Sequence, residues 1–158
     1  MNPNTREFKE TLEQNVFLFK TLTKYTLQYK GYAKVADSLF KNKFRLQIFD
    51  ILKKESMNAL QLAKRLNISY VSVIKHIKLF KEFSLIMEEK QPHSQGQAIM
   101  LSSNGIEPRQ RIKESLNQQK AKLIQKCYTE IKTKIPSYSF EMVEVLFNTI
   151  VLMKNATS

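Results

Sequence analysis

Residues 60–80 read LQLAKRLNISYVSVIKHIKLF, and this stretch decides the fold. Leu60, Leu62, Ala63 and Leu66 predict a helix of two to three turns. Asn67-Ile68 makes a tight connection, and Ser69 has the side chain of a good N-cap for a following helix. In that helix Val73, Ile77 and Phe80 recur at i, i+4 and i+7, the spacing of a core-facing stripe. This leaves the face of the second helix opposite its core stripe in solvent.

Working outward, Phe44, Leu46, Ile48, Phe49, Ile51 and Leu52 predict a preceding helix, broken at Ser56-Met57-Asn58. After the 60–80 stretch, 85–90 can form a strand, 91–96 is a polar loop with Pro92 and Gly96, and 97–101 can pair back as a hairpin. Toward the N-terminus, Phe8, Leu12, Val16, Phe19, Leu22 and Leu27 predict a long amphipathic helix over 5–30. Gly31 stands as its C-terminal stop, with Tyr32 to Asn42 as a connector. Toward the C-terminus, Gly105 and Pro108 introduce a second long helix to Ile135, marked by Ile112, Leu116, Leu123, Ile124, Tyr128 and Ile131. Pro136 ends it, because proline cannot continue an interior helical turn. Residues 140–153 are apolar on nearly every side, which requires burial all round.

Composition narrows the function. The chain has 158 residues with 26 Lys+Arg against 14 Asp+Glu, a formal charge of +12. The excess is local: 41–81 hold ten basic and two acidic residues and 109–134 hold eight and two, whereas 82–108 hold one and four. Such blocks are the footprint of a polyanion partner. A membrane surface is the other polyanion, but the basic blocks lack an insertion face of large apolar residues. No apolar run is long enough to span a bilayer, and the N-terminus lacks the apolar core of a secretory signal, so a cytoplasmic protein is expected. The single cysteine, Cys127, excludes internal disulfides and thiolate clusters, and a buried structural thiol is expected there. His76 and His93 are the only histidines, and no Cys, Asp or Glu stands three or four residues from His76, so no metal and no cofactor is expected. With no glycine-rich phosphate loop and no histidine–carboxylate pair, an enzyme is not expected.

The residues around the turn carry a family resemblance. Phe44-Arg45-Leu46-Gln47-Ile48, Leu62-Ala63-Lys64-Arg65-Leu66-Asn67-Ile68-Ser69 and Val73-Ile74-Lys75-His76-Ile77-Lys78-Leu79 stand in register with winged helix-turn-helix regulators. The stretch is similar to the arsenical-repressor and multiple-antibiotic-resistance-regulator (ArsR/MarR) superfamily. Leu101-Ser102-Ser103-Asn104-Gly105 resembles the segment that closes the wing in the antibiotic-resistance branch. The likeness covers about residues 44–105, two-fifths of the chain. Ser84 departs from it, standing where the family usually has glycine. The helix before the turn also lacks the cysteines of the metal-sensing arsenical members.

The resemblance implies a mainly α fold with a small β-hairpin wing. It divides the chain into an N-terminal dimerisation segment (1–42), a DNA-binding domain (43–105) and C-terminal dimerisation helices (106–158). It implies a sequence-specific regulator of double-stranded DNA, a homodimeric repressor associated with the nucleoid. A small-molecule effector held among Phe17, Phe19, Tyr25, Tyr29 and Tyr32 is a further candidate partner. A plasmid or viral replication, partition or chromatin-architecture protein is the alternative with the same motif. The candidate DNA contacts are Ser69, Tyr70, Val71, Ser72, Ile74, Lys75, His76 and Lys78 on the recognition helix, with Lys90, His93 and Gln95 in the hairpin. The early residues of such a helix reach base edges, and flanking donors grip phosphates. Lys75 can donate to guanine, Ser72 can donate or accept, and Val71 can cover a thymine methyl. A polar hairpin tip can enter the minor groove or follow the backbone.

Overall fold

The computed structural model describes residues 3–90, 97–101 and 107–153. Among these residues the chain is mostly helical: α1 (Pro3–Ser38), α2 (Lys43–Lys54), α3 (Ala59–Leu66), α4 (Tyr70–Glu82), α5 (Pro108–Lys134) and α6 (Phe140–Met153). Two strands, β1 (Ile86–Lys90) and β2 (Gln97–Leu101), lie between α4 and α5 and pair antiparallel, Ile86 opposite Leu101 and Lys90 opposite Gln97. No helix among the described residues is long and apolar enough to cross a membrane. The chain divides into two compact units, Lys34–Leu116 and Met1–Ala33 with Asn117–Ser158.

In the unit Lys34–Leu116, local chemistry sets each boundary. Asn42 caps α2 by accepting from the Arg45 N–H. Asn58 and Gln61 form a reciprocal capping box on α3. Asn67 then turns the chain with φ 54° and ψ 46°, a left-handed conformation that asparagine tolerates. The Ile68 N–H reaches the Ala63 carbonyl and the Asn67 N–H the Lys64 carbonyl, which closes α3.

The end of α4 repeats that design with a poorer residue. The Leu85 N–H donates to the Phe80 carbonyl at 2.9 Å and the Ser84 N–H to Lys81 at 3.0 Å, a Schellman closure. Ser84 sits at φ 57°, so a serine occupies the left-handed position that glycine fills without strain. Phe80 and Leu85, the apolar pair that seals such an end, are both buried. Ser115 of α5 donates to the Phe83 carbonyl, and Lys81 pairs with Glu88 at 2.7 Å, tying α4 to β1. Buried Ile48, Phe49, Leu52, Leu62, Val73, Ile77 and Phe80 supply the apolar interior of α2, α3 and α4. Phe40, Phe49 and Phe80 form an aromatic triangle with ring centroids 5.2–6.1 Å apart.

The other unit, Met1–Ala33 with Asn117–Ser158, is helical in its described residues apart from the connection 135–139 between α5 and α6. Leu22 and Tyr25 of α1 pack with Leu123, Ile124, Cys127 and Ile131 of α5, with Ile135, and with Val143 and Phe147 of α6. Cys127 is fully buried here, and burial, helped by Glu130, pushes its thiol up to about 11. Of the aromatic residues named for an effector cleft, Tyr25 is buried, Phe17 and Tyr29 pack on this core, and Phe19 is exposed. Tyr25 and Lys24 both donate to the Glu130 carboxylate, the lysine at 3.0 Å.

Two expectations need correction. Gly31 does not stop α1, which continues to Ser38. The apolar face persists past the glycine in Ala36 and, just beyond the helix, Leu39, both buried; that burial outweighs the roughly 1 kcal/mol that glycine costs a helix relative to alanine. Residues 140–153 are also not buried on every side: Met142, Val145, Leu152 and Met153 of α6 are exposed. On α1, Phe8, Leu12, Val16, Phe19 and Leu27 are exposed as well, and only Leu22 of the predicted stripe lies in the core.

The strained closure of α4 gives a direct test. Ser84→Gly removes the left-handed penalty of roughly 1–2 kcal/mol and returns part of it as greater freedom of the unfolded chain. The variant is expected to gain about 0.5–1 kcal/mol in denaturant unfolding. A loss of stability would show that the serine side chain itself holds the turn.

Candidate nucleic-acid interface

The orientation of α4 follows from which residues it buries. Val73, Ile77 and Phe80 are inaccessible, so the helix can only turn its opposite side outward. Tyr70 is 52% exposed and Val71 62%; Lys75 and Lys78 are exposed one and two turns further on. Lys81 is engaged with Glu88, while Lys75 and Lys78 make no ion pair among the described residues. The first three turns of α4 therefore present an aromatic hydroxyl, a branched apolar group and two available ammonium groups to solvent.

Ser69 and Ser72 organise the start of that surface. The Ser72 N–H donates to Ser69 Oγ at 3.1 Å, and the Ser69 hydroxyl donates to Ser72 Oγ at 2.8 Å. The cap thus satisfies one of the free N–H groups at the helix start and leaves others directed outward. Ser72 and Ile74 are half-buried, flanking the exposed ridge.

His76 sits differently from its neighbours. It is half-buried, its Nδ1 is shielded from solvent, and that atom has no hydrogen-bond partner among the described residues. Burial, reinforced by the positive charge of Arg45, lowers its pKa below the ordinary histidine value. Arg45 reaches from α2, with Nη2 donating to the Ser38 carbonyl at 3.0 Å while its buried Nε has no partner among the described residues. Arg45 was not among the expected site residues; the only signal was its place in the Phe44-Arg45-Leu46 stretch of the family-like pattern. Lys90 ends β1, and His93 and Gln95 lie outside the described residues. Among the described residues, no three His, Cys, Asp or Glu side chains gather as a metal site would require.

No family model matches the sequence, and no curated protein does. Solved structures show partial likenesses. Reduced HlyU from Vibrio cholerae aligns over 54% of this chain and 86% of its own, at 23% identity and TM-score 0.41. The adhesin competence repressor AdcR from Streptococcus pyogenes aligns over 73% and 79%, at 17% identity and TM-score 0.39. ZitR from Lactococcus lactis, a zinc-responsive MarR family member, aligns over 74% and 76%, at 17% identity and TM-score 0.38. Likenesses this distant carry no function across, and the interface stands on its own geometry.

His76 supplies the prediction here. A histidine held neutral in the fold and free to charge when unfolded makes the unfolded state bind more protons as pH falls. Its neutral form costs nothing above the unfolded pKa near 6.5, and stability drops as pH falls from there toward the lower folded value. His76→Gln is expected to remove that part of the acid loss in unfolding measured from pH 7.5 to 5. An unchanged pH profile would show that His76 is not desolvated in solution.

Proposed function

We propose that the chain is a winged helix-turn-helix transcriptional regulator, a homodimeric repressor that reads a pseudo-palindromic site in double-stranded DNA. The observation that carries this is the outer face of α4, where Tyr70, Val71, Lys75 and Lys78 stand exposed behind a capped start while Val73, Ile77 and Phe80 are buried. That is the disposition a recognition helix needs to enter a major groove. In this proposal residues 43–105 form the DNA-binding domain. Lys75 reads base edges, Lys78 and Tyr70 contact phosphates, and Val71 packs on a thymine methyl. Ser69 and Ser72 hold the helix start against the backbone, and His76 with Arg45 supports the ridge from behind. The paired strands act as the wing, with Lys90, His93 and Gln95 following the backbone or the minor groove. Such a protein works in the cytoplasm, on the nucleoid.

The homodimer is proposed from apolar surface. Phe8, Leu12, Val16 and Phe19 form an outward stripe along three turns of α1, and Val145 and Leu152 lie outward on α6. Their exposure ranges from 46% to 71%, and exposed apolar stripes of this length mark interaction surfaces. A second copy is the occupant whose surface must carry the same uncovered stripe, and an isologous two-fold contact covers both at once. Segments 1–42 and 106–158 are accordingly proposed as the dimerisation elements. A two-fold dimer sets its recognition helices in successive major grooves, so half-sites about 10 bp apart follow.

Two measurements check these proposals. Light scattering at micromolar concentration is expected to give twice 18.5 kDa, and Leu12→Glu with Val16→Glu should return the monomer mass; a monomeric wild type contradicts the dimer. Selection from random duplexes is expected to enrich a two-fold motif. Lys75→Ala should then relax one position of that motif at a cost of roughly 1–3 kcal/mol, and Lys78→Ala should weaken all sequences alike. Binding without any enriched motif would leave an architectural or partition protein instead of a repressor.

A further inference from the structure

We infer that the solvent face of α5 within the unit Met1–Ala33 with Asn117–Ser158 is a second contact surface for the phosphate backbone of duplex DNA, carried by Lys122 and Lys126. Leu123, Ile124, Cys127 and Ile131 turn one side of this helix into the core. The opposite side bears Lys122, Gln125, Lys126, Thr129 and Thr133, all exposed. The cations of α5 are not equivalent. Lys120, Lys132 and Lys134 lie 5.2, 5.5 and 4.5 Å from the ring centroids of Tyr29, Tyr128 and Phe17. Glu130, the one carboxylate between 117 and 134, is occupied by Lys24 and Tyr25 of α1. Lys122 and Lys126 therefore make no ion pair among the described residues, one helical turn apart on the same face. Like charges at i and i+4 work against an isolated helix, so a partner that neutralises both relieves the fold as it binds.

Charge complementarity decides the occupant. This face holds two available cations and neutral side chains, with none of the large apolar residues that an insertion into lipid or a packed protein interface needs. Thr129 and Thr133 spend their hydroxyls on backbone carbonyls of the same helix, so the face carries little to tell one base from another. A backbone contact is sequence-independent by nature. The outward apolar stripes of the proposed dimer lie on α1 and α6, which leaves this face of α5 free of that interface. The inference takes its partner from the DNA-binding proposal but does not depend on how α4 docks.

Lys122→Gln with Lys126→Gln in the full chain is the test, with Lys122→Arg and Lys126→Arg as the charge-keeping control. Binding to random-sequence duplex is measured from low to moderate salt. The Gln pair is expected to flatten the slope of log affinity against log salt by about 0.9 per lost contact, about 1.8 per protomer. The loss should be the same on every duplex, and the Arg pair should restore the wild-type slope, which separates lost charge from lost folding. Capture of a labelled duplex on beads carrying another duplex distinguishes the source. Capture lost in the Gln pair assigns a second DNA segment; capture unaffected, with the slope still flattened, assigns the flank of the bound one. An unchanged slope and affinity overturns the inference. If the slope flattens while Lys75→Ala and Lys78→Ala alter nothing, this surface stands and the α4 interface falls.

Discussion

Burial of Phe80 is the constraint on which the unit Lys34–Leu116 depends. Its ring is fully enclosed, with centroids 6.1 Å from Phe40 and 5.9 Å from Phe49, and it lies one turn before the left-handed closure at Ser84. Burying such a side chain contributes roughly 1.5–3 kcal/mol, and each aromatic pairing about 0.5–1.5 kcal/mol more. With Val73 and Ile77 it fixes the rotation of α4 about its own axis. Everything proposed for the outward face follows from that rotation, because a helix turned by one residue would bury Lys75 or expose Ile77. The caps act on the same element from its ends: Ser69 sets where the helix starts, and the Phe80–Leu85 closure sets where it stops.

The parts of this architecture that depend on neighbouring residues were legible in the sequence. Ser69, Asn67, the Ser56-Met57-Asn58 break and the Val73, Ile77, Phe80 spacing all act within a few positions, and the helices formed where they indicated. Contacts between distant segments were not legible. Nothing near His76 shows that burial, reinforced by Arg45 31 positions earlier, lowers its affinity for a proton, nor that its Nδ1 has no partner among the described residues. Gly31 misled for a related reason. A glycine ends a helix only where the chain needs a left-handed residue, and here the apolar pattern carries on through Ala36 to Leu39. On α1 the periodicity merged two stripes: Leu22 and Tyr25 face the core, while Phe8, Leu12, Val16 and Phe19 face outward. Spacing identifies a helix but does not say which of two apolar sides the chain itself covers.

The two units present contrasting surfaces. The unit Lys34–Leu116 buries Phe49, Phe80 and Phe83 and displays Tyr70 and lysines on α4; the other leaves apolar stripes and a cationic strip uncovered. The apolar stripes favour self-association and the lysines resist it unless a polyanion is present. A net charge of +12 opposes bringing two copies of the chain together, and a bound polyanion lowers that cost.

The most direct measurement of the central claim is the amide spectrum of the isotopically labelled protein titrated with the duplex that binds best. The orientation of α4 predicts that the largest shifts and broadening fall on 69–78, with Tyr70, Val71 and Lys75 foremost. Perturbation that spares 69–78 while saturating elsewhere on the chain would contradict α4 as the element that reads DNA.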